Sequence, residues 1–295
     1  MRLLGCTRRK FSRRRWSSHR ARSAMTPFNP VWKPAADLSI GVGRQTSMSR
    51  SNSSLTTETR SKRSTSTAEE QVPLADEIFR RIRALGVPNT PNIRRIRREY
   101  TEDLRQADAG FVLDVARALL ARGDHRWVAY ELVHHHRAAM QRIGEPELEE
   151  LGRGIDSWWT VDAFSLELSG PAWRERQVED GLIEWWARSP DRWWRRAALV
   201  STVALNAKAR GGRGDLPRTL FASRILVGDP DDMVAKALSW ALRELIPYEQ
   251  QAVQSFLDSN REAIPRQVRR EVLNKLTVGL KNPRRTTPKV VRQGG

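Results

Sequence analysis

From Pro73 to about residue 279 the apolar residues of this chain recur at helical spacing, and nowhere over a useful length do they alternate with period two. Helices can bury such a pattern and a sheet cannot. Pro73 opens a first helix, LADEIFRRIRAL, that stops at Gly86, where GVPNTP makes a turn. Further helices are predicted at roughly 91–106, 109–121, 125–142, 146–155, 157–169, 172–188, 191–208, 215–226, 231–245, 248–259 and 265–279. Gly, Pro or Asp bounds each, as in GDHR, GEPE, SGPA, SPDR, GDPDD and AIPR. About a dozen helices joined by short turns predict an all-α, HEAT-like helical-repeat solenoid. No strict sequence period is visible, and a compact bundle is the competing arrangement.

The formal net charge of +18 points to a polyanionic partner, but the excess lies outside the helical body. Residues 1–68 carry 15 Lys/Arg against Asp37 and Glu58, and residues 281–295 add five Lys/Arg and no acid. The stretch 69–280 is left with 32 basic and 32 acidic residues. A basic surface on the body must therefore come from segregating charge onto one face. Residues 46–67 hold fourteen Ser or Thr in twenty-two positions, too little apolar surface to offset the entropy of ordering. The expected division is a disordered leader over 1–70, a helical domain over 71–280 and a basic flexible tail over 281–295. The leader also reads as a transit peptide, or as sequence upstream of a start at Met25 or Met48. With Cys6 the only cysteine, an internal disulfide and a Cys-based zinc site are excluded. No apolar run is long enough for a membrane span, and a reducing, cytosolic compartment is expected.

Tryptophan is the oddest feature of the body: nine of the eleven fall between Trp127 and Trp240. Most suit gaps between stacked helices. Helical phase separates the others. In DPDDMVAKALSWALREL the apolar stripe is Val234, Ala237, Leu238, Ala241 and Leu245, and Trp240 lies far from its centre. In SPDRWWRRAALVSTVAL the stripe runs through Trp193, Ala197, Val200 and Ala204, with Arg196 at its flank and Arg195 towards solvent. In DSWWTVDAFSLEL the stripe is Val161, Phe164 and Leu168, and Trp158 and Asp162, four apart, are neighbours on one edge. An aromatic beside a carboxylate, an arginine at the stripe edge and a second off-core aromatic suit cleavage of the N-glycosidic bond of a cationic alkylpurine. The leaving group is already charged, so what needs stabilising is the sugar oxocarbenium, by a carboxylate and by aromatic faces. An arginine can hold the neighbouring phosphate.

At these residues the sequence resembles the AlkD-like DNA alkylation repair family of HEAT-repeat glycosylases. The carrying segments are RALGVPNTPNIRRIRREY (83–100), DSWWTVD (156–162), SPDRWWRRAALVS (189–201) and KALSWALREL (236–245), in the family's order, over about 74–280. The resemblance implies a concave face that holds duplex DNA containing N3- and N7-alkylated purines, acting as a monomer. It implies a catalytic carboxylate at Asp162 with Trp158 against the damaged nucleotide's sugar, Trp240 as the second site aromatic, and Arg196 on backbone phosphate. Trp159 stands where the family usually has Asp, so which of Trp158 and Trp159 faces the DNA stays open. Arg94 and Arg97, with their neighbours Arg95 and Arg98, form a candidate phosphate-binding edge or a solvated helix face.

The run His134-His135-His136 cannot converge on one ion, because consecutive residues diverge around a helix. Neither a metal nor a cofactor is expected. The function expected is a monofunctional DNA glycosylase leaving an abasic site, in the bacterial cytosol and associated with the nucleoid through DNA. The alternative is a non-catalytic HEAT-repeat protein that binds damaged or branched DNA.

Overall fold

The structure, a computed structural model, describes residues 68–283; nearly all of the expected leader and of the tail lie outside these, and the leader's last three residues, 68–70, belong to α1. The described residues form helices and no strand. They are α1 (Ala68–Arg83), α2 (Thr90–Asp103), α3 (Ala109–Leu120), α4 (Arg126–His135), α5 (Arg137–Gln141), α6 (Glu145–Gly152) and α7 (Trp158–Phe164). After these come α8 (Gly170–Arg174), α9 (Asp180–Ala187), α10 (Arg192–Asn206), α11 (Leu216–Ile225), α12 (Asp232–Ser259) and α13 (Arg266–Val278). No helix among them is long and apolar enough to cross a membrane.

The all-α expectation holds, and several boundaries differ from those predicted. α1 starts at Ala68, so Pro73 sits inside it rather than opening it. The helix expected over 125–142 breaks at His136, whose backbone is extended (φ −99, ψ 102) and whose Nδ1 accepts from Ala139 N–H at 3.1 Å, capping α5. The helix expected over 172–188 breaks after Arg174, and Arg176 takes a left-handed conformation (φ 60). Gln177 holds that turn by donating from Nε2 to the carbonyls of Met140 (2.8 Å) and Ile143 (2.9 Å). The helices expected over 231–245 and 248–259 are both present and run together as α12, meeting at a kink where Glu249, just after Pro247, leaves helical angles (φ −138, ψ 54). SGPA does not interrupt the chain: a π-turn, Ser165–Ser169, joins α7 to α8 as one rod.

Successive inner helices pack in a ladder, α2 on α4, α4 on α7, α7 on α10, α10 on α12 and α12 on α13. Polar contacts up this ladder keep a nearly constant separation in sequence. Arg94 and Glu131 are 37 residues apart, His134 and Glu167 33, Asp162 and Arg196 34, and Ser239 and Glu271 32. A separation recurring at about one helix pair is what a helical-repeat stack requires.

The rod α7–α8 approaches the backbone of α10 closely. A Cβ at Gly170 would lie 2.5 Å from Ala204 Cβ and 2.8 Å from the carbonyl oxygens of Ser165 and Ser201. Only glycine fits there. Ser169 and Ser201 share a hydrogen bond of 2.7 Å across the same contact. Further along, Phe164 packs edge-on to Tyr130 (5.7 Å) and Trp194 (5.9 Å). The polar edge of α7 is thereby turned towards Arg196 on α10.

Candidate active site

Asp156-Ser157 starts α7. Ser157 Oγ accepts from Thr160 N–H at 3.4 Å, and Thr160 Oγ1 accepts from Ser157 N–H at 3.3 Å. This capping fixes Trp158 and Trp159 as the first two residues of the helix and places Asp162 one turn further on. Val161 and Phe164 point into the core at 0% exposure, which leaves Trp158 and Trp159 out at 51% and 46%. Their rings meet edge-to-face at 5.7 Å. Both stand at a cavity of about 220 Å3, lined also by Trp127, Glu131, Asp162, Glu167, Arg210 and Trp240. The three residues expected to catalyse, Asp162, Trp158 and Trp240, thus meet in one place. Trp240 is partly buried, off the stripe as its phase predicts, and its Nε1 donates to Glu244 Oε1 at 3.0 Å, which fixes the indole.

Asp162 is gripped from below. Arg196 Nε donates to Asp162 Oδ1 and Nη2 to Oδ2, each at 2.9 Å, and Nη1 donates to the Met233 carbonyl at the start of α12. Burial pushes the Asp162 carboxyl up from the ordinary aspartate range, and the Arg196 hydrogen bonds and charge offset only part of that. The expected phosphate contact at Arg196 is therefore revised. Its side chain is 6% exposed and its guanidinium is spent on the carboxylate and a carbonyl. Arg195 is revised too, since it does not point freely to solvent. Its Nε donates to Asp229 at 2.6 Å, and that carboxylate is 6% exposed. Arg195→Ala should leave the Asp229 charge buried and unpaired, costing about 2–3 kcal/mol of stability by chemical denaturation. A change within about 0.5 kcal/mol would show the pair to be dispensable.

Arg94 and Arg97 converge on one carboxylate. Arg94 Nε donates to Glu131 Oε1 at 2.8 Å and Arg97 Nε to Oε2 at 3.0 Å. Arg97 is buried, and Arg94 is 45% exposed with its guanidinium 5.4 Å from the Trp127 ring centre. Of the two, Arg94 is the one with an edge open to a ligand.

Sequence reasoning missed Trp127, Glu131, Glu167 and Arg210. A signal for the first two existed. Trp127–Glu131 repeats the aromatic-x-x-x-acid spacing of Trp158–Asp162, and Trp240–Glu244 repeats it again. Glu167 had none, because the π-turn decides where it points; for Arg210 the Gly- and Arg-rich segment NAKARGGRGDLP marks a loop near the DNA, without saying which of its arginines reaches the cavity. Arg210 Nη1 donates to Glu167 Oε1 at 2.9 Å. No group of residues able to hold a metal ion occurs among the described residues.

The family model for the DNA alkylation repair enzyme matches residues 63–276, most of the chain and every helix that lines the cavity. The chain belongs to the DNA alkylation repair enzyme family. No curated protein matches it closely enough to count as a relative. Membership gives this DNA alkylation repair protein a role in DNA repair and agrees with the resemblance carried by the segments from 83 to 245. The matched span takes in all four segments.

Proposed function

We propose that this DNA alkylation repair protein is a monofunctional glycosylase on a HEAT-type stack. It binds duplex DNA and hydrolyses the N-glycosidic bond of N3- and N7-alkylated purines. One observation carries the reading: a fixed carboxylate, Asp162, at a cavity walled by tryptophans. Arg196 holds that carboxylate with two bonds, so it does not reorganise as charge develops. An alkylated purine departs as a neutral base. The sugar left behind gains positive charge, which Asp162 stabilises directly while the faces of Trp158, Trp159 and Trp240 favour it through their π-systems. Water then adds to the anomeric carbon and gives an abasic site. Among the described residues no lysine lines the cavity, so none of them places an amine there to form a Schiff base and cut the strand. Arg94 supplies the phosphate contact at the rim, and Arg196 acts as a positioning residue.

The direct experiment is incubation with duplex DNA containing N7-methylguanine. Released base and intact, alkali-labile strands are expected; binding without release would favour the non-catalytic alternative. A pH profile adds a second check. Asp162 must be ionised to act, and its carboxyl titrates above the ordinary range. As pH falls through that raised value the carboxylate is lost, so single-turnover excision at saturating enzyme should begin to decline above about pH 4, the ordinary aspartate value. A rate that stays flat down to about pH 4 would remove Asp162 from the mechanism.

A further inference from the structure

A second opening, of about 380 Å3, adjoins the candidate active site and shares Arg94, Glu131, Glu167 and Arg210 with it; Arg97, His134, His135 and Ala209 complete its wall. We propose that this niche binds a phosphodiester group of the strand held in the adjacent site, and that His135 takes up a proton as it does so. The proposal rests on the DNA reading above and adds a binding site to it.

Charge balance comes first. Three arginines face two glutamates, and both glutamates are committed: Glu131 lies between Arg94 and Arg97, and Glu167 accepts from Arg210. With the histidines neutral, one positive charge is left over. A phosphodiester carries one negative charge, and arginines present the donors that recognise its oxygens.

The histidine run then divides its work. His136 is buried and caps α5, while His134 and His135 stay at the niche with rings 5.1 Å apart. Pro171 has no N–H, so the Glu167 carbonyl lacks its α-helical donor. His134 Nδ1 lies 2.8 Å from that carbonyl; a carbonyl only accepts, so Nδ1 carries the proton. Protonation of either ring adds a donor that an anion can use.

His135 is exposed, and the partial desolvation of its ring at the niche holds the imidazole below the ordinary histidine range, with the Arg97 charge, and His134 when protonated, pushing the same way. Glu167 and Glu131 oppose this more weakly. On the far side Arg137, Arg174 and Glu175 line an adjoining cleft with both histidines, and Arg174 Nε donates to Glu175 at 2.8 Å. An anion entering the niche supplies the negative charge and the acceptor that favour the imidazolium. By reciprocity, protonation tightens anion binding by the same factor. The affinity for DNA must therefore rise as pH falls from the bound-state pKa towards the lower value of the empty niche.

The test uses the full chain and His135→Gln with a duplex that carries a tetrahydrofuran abasic analogue, which cannot turn over. In about 0.15 M salt, wild-type affinity should rise by about tenfold from about pH 7.5 to about pH 5.5, inside the roughly hundredfold ceiling that one proton sets over two pH units. The His135→Gln protein should show a distinctly flatter profile. Calorimetry in two buffers of different ionisation enthalpy should register proton uptake on binding by wild type near pH 6 that the variant lacks. Asp162 is common to both proteins and cancels. Equal pH slopes, or no difference in proton uptake, would overturn the niche and leave the DNA reading standing. No binding at any pH would overturn both. Inorganic phosphate should evoke this uptake only at far higher concentration than the duplex; equal potency would reassign the niche to free phosphate and overturn the strand proposal.

Discussion

Asp162→Asn should lower single-turnover release of N7-methylguanine by about 10²-fold or more, the loss expected when a preorganised charge opposite a developing cation is removed. Asparagine is nearly isosteric and its Oδ1 can still accept one bond from Arg196, but its amide faces the second N–H and the buried guanidinium loses its counter-charge. Stability should therefore fall, and excision is compared at a temperature where both proteins are folded. Affinity for a duplex that already carries an abasic site should change little, because the charge that Asp162 opposes develops only on the way to cleavage. Excision by the Asn variant at the wild-type rate would end the assignment of Asp162. A parallel fall in excision and in abasic-duplex binding would mean that the carboxylate holds DNA rather than assisting bond cleavage.

Arg196→Ala should be strongly destabilising. The guanidinium is 6% exposed and the carboxylate it serves 15% exposed, so its removal strands Asp162 without a partner away from water. A loss of about 3 kcal/mol or more is expected, roughly a 6–12 °C fall in Tm for a domain of this size. A purely structural role would stop there. Arg196 also holds the Asp162 pKa down, so the acid limb of excision should move to still higher pH in the variant. Arg196→Lys keeps the charge and loses the paired geometry, and should restore stability more than it restores the position of that limb. A normal Tm together with an unmoved acid limb would refute the positioning role.

Fold class, and which side chains stand together at the candidate site, could be read before any coordinates. The helical period of Val234, Ala237, Leu238, Ala241 and Leu245 put Trp240 off the core, and the spacing of Trp158 and Asp162 put them on one edge. Both follow from local geometry, which a sequence carries. The same phase reasoning put Arg196 at the edge of the core, where it is, but said nothing of its partner, and it failed at Arg195. A stripe says which way a residue leaves its own helix and nothing about Asp229 or Asp162 waiting on the next one. The repeat was hidden for a related reason. It appears as a separation of 32 to 37 residues between contacting partners, and the partners differ in type from rung to rung: arginine with glutamate, histidine with a carbonyl, serine with glutamate. The site residues that escaped, Glu167 and Arg210, are those placed by a π-turn and a glycine-rich loop.

That π-turn makes the site a matter of phase as well as of side-chain chemistry. An α-helix advances about 100° per residue. The five residues Ser165–Ser169 take a wider turn than an α-helix would, so the rod accommodates one residue more than a regular helix between Asp162 and the buried Pro171-Ala172-Trp173. The far end is clamped where Gly170 meets α10, so any correction has to appear at the near end. Deleting one residue from 165–169 would let the segment settle into ordinary α-helical bonding, which local energetics favours, and would swing Asp162 about a quarter-turn or more away from Arg196. Trp158 and Trp159 would swing with it. A chain shorter by one residue could thus keep its stack of helices and its tryptophans and have no site, with every side chain of the site still present in its sequence.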